Sequence, residues 1–265
     1  MFIGITISLG ILGLVACGAP STPDDEISGN EVSLVKEEII ENNYPDSKSV
    51  YESTDLTIVD DDGSTWIDPE ALEASLSIPE SNGLTDKEYE SLLFMREEEK
   101  LARDVYLTLY DKWKINIFNN IAASEQTHTD AVKTLLDQYG LDDPMVNDEL
   151  GVFANEDLQL LYNELVAKGS QSLEDALIVG AAIEEIDIID LEAYISQIDN
   201  PDIKMVYDNL MKGSRNHLRS FTSVIQKQTG ITYIPQYLSE DEYQSIIGSE
   251  IERSGKDQGK GKGNR

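Results

Sequence analysis

Glu125 and His128 stand one helical turn apart in a stripe that is otherwise apolar: Phe118, Ile121, Val132, Leu135 and Tyr139. Side chains at i and i+3 leave one face of a helix together, so a carboxylate and an imidazole placed this way converge. Glu184 and Asp187 interrupt a second stripe, Leu173, Leu177, Gly180, Leu191, Tyr194 and Ile198, at the same spacing. Glu98 falls among Met95, Ala102, Val105 and Leu109, and His217 among Val206, Leu210, Gly213, Ser220 and Val224. The chain has two histidines, and both lie on these stripes. A carboxylate in an apolar core loses several kcal/mol of hydration unless it is paired, protonated or bound to metal. Two divalent cations would remove that cost and the repulsion between neighbouring acids. The chemistry indicated is a dinuclear metal site. Oxygen and nitrogen donors without thiolate suit iron or manganese, while zinc and copper would also bind by raw affinity.

The spacing predicts the helices that must carry these residues. The first opens at Thr85 as N-cap, with Glu88 three residues on in a capping-box arrangement, and runs to about Trp113. The second spans about Asn116 to Tyr139 and is closed by Gly140. After Asp142-Asp143-Pro144, Asn155 caps a shorter amphipathic helix, Glu156 to Lys168. The third main helix covers about Leu173 to Ile198, and the fourth about Asp202 to Thr229 before Gly230. Two helices, a long connection with a helix of its own, and two more helices make an all-α bundle with one long crossover.

Neighbours decide between adjacent candidates. Glu98 is flanked at i±3 and i±4 by Phe94, Met95, Leu101 and Ala102, whereas Glu97 and Glu99 have charged neighbours and read as solvated or bonded to Arg96, Lys100 or Arg103. Glu184 is favoured by the stripe, but Glu185, among Ala181, Ala182, Ile188 and Ile189, stays open as an alternate that binds or bridges. Arg103 and Asp104 read equally well as a ligand-orienting pair and as a surface salt bridge. Tyr106 and Tyr194 read as packing.

With Arg96-Glu97-Glu98-Glu99-Lys100-Leu101-Ala102-Arg103-Asp104-Val105-Tyr106 and Glu125-x-x-His128, residues 84–247 resemble the rubrerythrin-like branch of the ferritin-like superfamily. They are similar, more closely, to an uncharacterised bacterial ferritin-like domain family. The resemblance implies a ferritin-like four-helix bundle over residues 85–247. It also implies one glutamate on each of helices one and three, and Glu-x-x-His on helices two and four. Glu98, Glu125, His128, Glu184 and His217 match those positions, but Ser214 stands where the fourth-helix glutamate belongs. Asp187, one turn from Glu184, is our candidate replacement. The expected ligands are thus Glu98, Glu125, His128, Glu184, Asp187 and His217, holding two metal ions.

The flanks bear on location. Fifty-one acidic against twenty basic residues give a net charge of −31, which disfavours nucleic acid as a partner. Leu14-Val15-Ala16-Cys17 follows an apolar run and resembles a lipobox, so residues 1–17 read as a lipoprotein signal with Cys17 as the lipidation site. No basic residue precedes Cys17, a departure from ordinary signal peptides. Residues 18–84, acidic and rich in Pro and Ser, read as a tether, with a short helix over Val35–Asn43 and a turn at Asp60-Asp61-Asp62-Gly63. Residues 248–265 read as a disordered Gly/Lys-rich tail. The expectation is a bacterial envelope protein, anchored to the membrane through a lipid. Its chemistry would be a di-iron oxidoreductase of the ferroxidase or peroxide/oxygen-reducing type, with an external electron donor. A homodimer stays open. The alternative is a non-catalytic metal-binding or structural interaction bundle.

Overall fold

The computed structural model describes residues 54–77, 83–145 and 147–254. Cys17, the apolar run before it and Val35–Asn43 lie outside the described residues. Seven helices and one two-stranded sheet occur among those described. They are β1 (Thr57–Val59), β2 (Thr65–Ile67), α1 (Pro69–Ser75), α2 (Asp86–Trp113), α3 (Asn116–Tyr139), α4 (Glu156–Gly169), α5 (Leu173–Ile195), α6 (Pro201–Thr229) and α7 (Glu240–Ile247). The fold is an all-α bundle, as the stripes predict. No helix among the described residues is long and apolar enough to cross a membrane.

Local chemistry sets the helix ends. Thr85 and Glu88 form the reciprocal capping box of α2, and Gly140 closes α3 in the left-handed region at φ 66°. Short connections make α2 and α3 neighbours, and likewise α5 and α6; α3 meets α6 and α2 meets α5 across the bundle. Helix α4, inside the crossover, lies against α2 and α5. Helix α5 is buried almost all round from Ala176 to Ile188, which its nearly continuous apolar sequence requires.

The apolar interior is divided. One cluster gathers Val105, Leu109, Phe118, Ile121, Leu177 and Phe221; another gathers Leu92, Met95, Val132, Leu135, Leu191 and Leu210. On every long helix the acidic and imidazole residues sit between the two clusters, in a polar layer at mid-height.

Two expectations about the flanks change. Residues 54–77 are not tether: β1 and β2 pair antiparallel, with Thr57 opposite Ile67, around the Asp60–Gly63 turn. The hairpin lies on α3 and α6. Its backbone donors are taken by side chains of those helices: Thr65 N–H by Ser124, Ile67 N–H by Thr127, and Leu56 N–H by Asn209. The turn at Asp60–Gly63 is present, and a Cβ at Gly63 (φ 88°) would collide with Ser220. Residues 248–254 are likewise not free tail. Glu252 accepts from Arg215 and Arg219, and the Ser254 hydroxyl donates to the Thr57 carbonyl.

Candidate metal centre

The polar layer is built by four helices and closed by the hairpin. Helix α3 contributes Glu125 and His128, α5 contributes Glu184, and α6 contributes His217. Helix α2 contributes Glu99 rather than Glu98. Two groups of converging donor atoms result: Glu99, Glu125 and His128, and Glu125, Glu184 and His217, with the atoms of each group within 4.8 Å of one another. All five side chains are buried. Glu125 belongs to both groups. Its Oε2 lies 2.7 Å from His128 Nδ1 and its Oε1 lies 2.9 Å from His217 Nδ1. Glu99 Oε2 stands 3.3 Å from His128 Nδ1, and Glu184 Oε2 stands 3.5 Å from His217 Nδ1. The two imidazole rings stack with centroids 5.5 Å apart.

The second nitrogen of His128 fixes its chemistry. Nε2 lies 3.0 Å from the Thr65 carbonyl oxygen on β2. A carbonyl only accepts, so Nε2 carries the hydrogen and donates. The Nδ1 position is left to a lone pair or to a second proton, and it faces two carboxylates. A neutral ring would set a lone pair against carboxylate oxygens; a proton or a metal cation at that point relieves the clash. Burial pushes the His128 and His217 pKa values down, but their carboxylates outweigh it. Glu125 and Glu99 hold His128 well above its ordinary value, and Glu125 with Glu184 raises His217 to about 9. Burial likewise opposes ionisation of Glu125, but the two histidines hold it far below the usual carboxylate range. Burial raises Glu99 to about 7, and raises Glu184 and Asp187 in the same direction.

Among the described residues, the buried side-chain atoms without a hydrogen-bond partner in the protein are Glu98 Oε2, Glu99 Oε1, Glu125 Oε1, His128 Nδ1, Asp187 Oδ1, and both nitrogens of His217. Buried polar atoms in folded proteins are almost always partnered, and exceptions require a cause. Here every exception lies in one layer. Several face an opposite group at close range without the angles of a hydrogen bond, as donors aimed at a common ion would. The residues fit a pair of cations: Glu99, Glu125, Glu184 and Asp187 carry four negative charges when ionised, matching two divalent ions.

The structure places the expected residues unevenly. Glu125, His128, Glu184 and His217 meet as the stripes predict. Glu98 is buried but lies outside both ligand groups, turned toward Asp190 and Asp187. Asp187 also lies outside them; its Oδ2 accepts from the Ser214 hydroxyl, so the residue at the missing glutamate's position touches the candidate replacement. Glu185 belongs to neither donor group. It points away from the layer, accepting from Tyr233 Oη at 2.7 Å and from the backbone N–H groups of Gln236, Tyr237 and Leu238 at 2.7 to 2.9 Å. Successive helical residues diverge by about 100°, so Glu184 and Glu185 cannot both face the layer.

The charge run of α2 is not solvated. Glu97 accepts from the N–H groups of Ala154 and Asn155, and Glu99 reaches the centre. Arg96 binds Asp143 and the Thr129 carbonyl. Lys100 binds Asp104 and the Glu149 carbonyl, while Arg103 ties Asp104 to Asp148 and Gln126. The crossover between α3 and α4 covers this face, and its backbone groups need the partners these side chains supply. Tyr106 is more than packing, because its hydroxyl lies 2.5 Å from Glu184 Oε1 and donates to it. The signal that leads to Glu99 is the alternative 3-4 register Leu92, Met95, Glu99, Ala102, Tyr106, as regular as the register through Glu98.

Gly213 makes room for His128. A Cβ there would lie 2.5 Å from His128 Cε1 and 2.9 Å from Nε2, so the ring would have to leave the Thr65 carbonyl. Gly213→Ala is expected to weaken divalent-metal binding by about 10- to 100-fold, as losing a ligand's orienting contact generally does. The bundle should still fold, with overpacking costing about 1–3 kcal/mol. Mn(II) titration by EPR beside thermal melts separates the two effects; unchanged affinity would show that ring placement does not matter.

Comparison with known proteins places residues 88–250 in a family model described as "Uncharacterized protein domain (DUF2202)". An uncharacterized protein of Methanocaldococcus jannaschii, MJ0754, is 57% identical over 182 residues, covering 69% of this chain and 97% of the relative. The crystal structure of that hypothetical protein matches with a TM-score of 0.64 at 56% identity, covering 67% of this chain and all of the other.

Proposed function

The chain belongs to the DUF2202 family, and from that premise and the donor geometry we propose that it is a ferritin-like protein holding a dinuclear metal centre, with iron as the working metal. The observation that carries this reading is the sharing of Glu125 between two buried donor groups in which Glu99 Oε1, Glu125 Oε1, His128 Nδ1 and both His217 nitrogens have no hydrogen-bond partner in the protein. Glu99 and His128 would hold one ion and Glu184 and His217 the other, with Glu125 between them. The order of helices, with one crossover carrying α4, agrees with a ferritin-like arrangement.

Two irons in such a site supply electrons to dioxygen or peroxide. The protein's own part is positional. The Thr65 carbonyl fixes the face of His128, Tyr106 holds Glu184, and Ser214 holds Asp187 beside the centre. The apolar clusters above and below keep bulk water from the layer. Without a thiolate cluster for electron relay, the reductant is an external donor or iron itself. The reaction type is a ferroxidase or a peroxide- or oxygen-reducing oxidoreductase. Attachment to the outer face of a bacterial membrane through Cys17 is part of the same proposal and rests on the lipobox-like Leu14–Cys17 segment.

A second reading, a metal-bearing but non-catalytic bundle, draws on the Ser214–Asp187 contact, since a hydroxyl has taken the place of a ligand carboxylate. Anaerobic loading with Fe(II), followed by admission of oxygen or peroxide, separates the two. Two irons per chain and fast consumption of the oxidant support the enzyme. Two irons with no consumption favour the second reading, and failure to bind any divalent ion tightly removes both.

A further inference from the structure

The ligands are buried, so a reactant from solvent needs a way in. A cleft of about 570 Å³ between the hairpin turn, α3, α6 and α7 is lined by none of them. A smaller recess between α2, α4 and α5 does reach the polar layer. Its walls include Leu161 and Leu165 of α4 and Ile183 and Ile186 of α5, and it is also lined by Glu98 and Asp187. Both carboxylates are more than nine-tenths buried, and each has one oxygen without a partner. Leu161 is half-buried and marks the mouth. The cavity volume is about 10 Å³, enough for about one water-sized molecule.

We propose that this recess is the access port through which a small neutral oxidant of the dioxygen–peroxide class reaches the centre, with Leu161 and Leu165 setting the size limit. Three features select that class. Apolar walls penalise a hydrated ion, which would have to shed its water to pass. The volume excludes organic substrates. The free oxygens of Glu98 and Asp187 can accept hydrogen bonds from a peroxide, and they stand next to the ligands without belonging to either donor group. This gives Glu98 a role its position outside both groups otherwise leaves open.

The proposal rests on the dinuclear reading, but its first test does not. In the metal-free full-length protein under oxygen pressure, paramagnetic relaxation of the Ile183 and Ile186 methyls is expected to exceed that of the comparably buried Ile67 and Ile188 by about threefold, since a close-packed interior admits gas only at its voids. Leu161→Trp should abolish the excess, and Leu165→Ala should enlarge it. Equal relaxation at all four sites, or no response to either variant, overturns the port. With iron bound, Leu161→Trp is expected to slow Fe(II) oxidation about tenfold with the metal count unchanged, as a blocked approach does. Parallel runs with dioxygen and with peroxide show which oxidant the recess serves. An unchanged rate with both would also overturn the proposal, whereas failure to load iron at all would count against the dinuclear reading alone.

Discussion

Glu125→Gln is expected to abolish binding of both metal ions, reducing two per chain to none at concentrations that saturate the natural protein. Glu125 is common to both donor groups, so its loss leaves each ion with one carboxylate and one imidazole from its group. The amide keeps the shape and removes the charge, so the effect is electrostatic rather than steric. It also leaves two buried imidazoles without the anion that stabilises their protonated forms, and breaking a buried pair this way costs about 3–5 kcal/mol. Glu185→Gln is the informative contrast. Its carboxylate holds the 233–238 segment and faces away from the layer, so that variant should lose stability while keeping its metal count. Metal analysis after gel filtration, read beside melts of the metal-free proteins, checks both. Retention of one ion by Glu125→Gln would show that the two groups do not share it.

The metal-free protein is expected to lose stability as pH rises from about 7 to about 9, and the metal-loaded protein is not. His217, raised from 6.5 to about 9, sets this window, while Glu99, raised from 4.5 to about 7, acts mainly below it. The folded chain therefore holds these protons more tightly than the unfolded chain does. Their contribution is full below the unfolded values and is lost as pH climbs through the folded ones. Each proton that the folded chain keeps after the unfolded chain has released it lowers stability by about 1.4 kcal/mol per pH unit. A bound cation would take the place of the protons, so the same window that destabilises the empty bundle should strengthen metal binding, with protons released to the buffer. Melts at pH 6.5, 8 and 9 in chelator and in excess Mn(II) make the comparison. A melting temperature in chelator that does not fall across this range would show that the imidazoles are not protonated in the fold.

Much of this was legible in the residues. Thr85 with Glu88, Gly140, Asn155 and Gly230 punctuate the helices because caps are local chemistry, readable from a few neighbours. Glu125, His128, Glu184 and His217 stand out because each breaks an apolar stripe. Glu99 did not, because α2 is buried on nearly all its faces from Met95 to Tyr106. Where the outer side of a helix is covered by a loop, charged neighbours cease to mark solvent. The crossover residues Asp143, Asp148 and Ala154 that bury this run are 40 or more positions away, and no periodicity in α2 announces them. The hairpin is hidden in the sequence for a related reason. Each strand has three residues, too short for alternation to show, and its edges are satisfied by side chains of distant helices.

That hairpin carries a consequence for the order in which the molecule assembles. It leaves the ribosome early, yet its partners Asn209 and Asn216 lie 153 and 151 residues further on, and Ser254 lies 197 residues beyond Thr57. Contacts of such long range form late, after the local helical pairs. β2 reaches α3 through Ser124, Thr127 and His128, but the hairpin's bonds to α6 and to the segment after α7 must wait for those residues. The hairpin's seat is therefore completed only when synthesis is nearly over, with the contact to His128 of shorter range than those to Asn216 and Ser254.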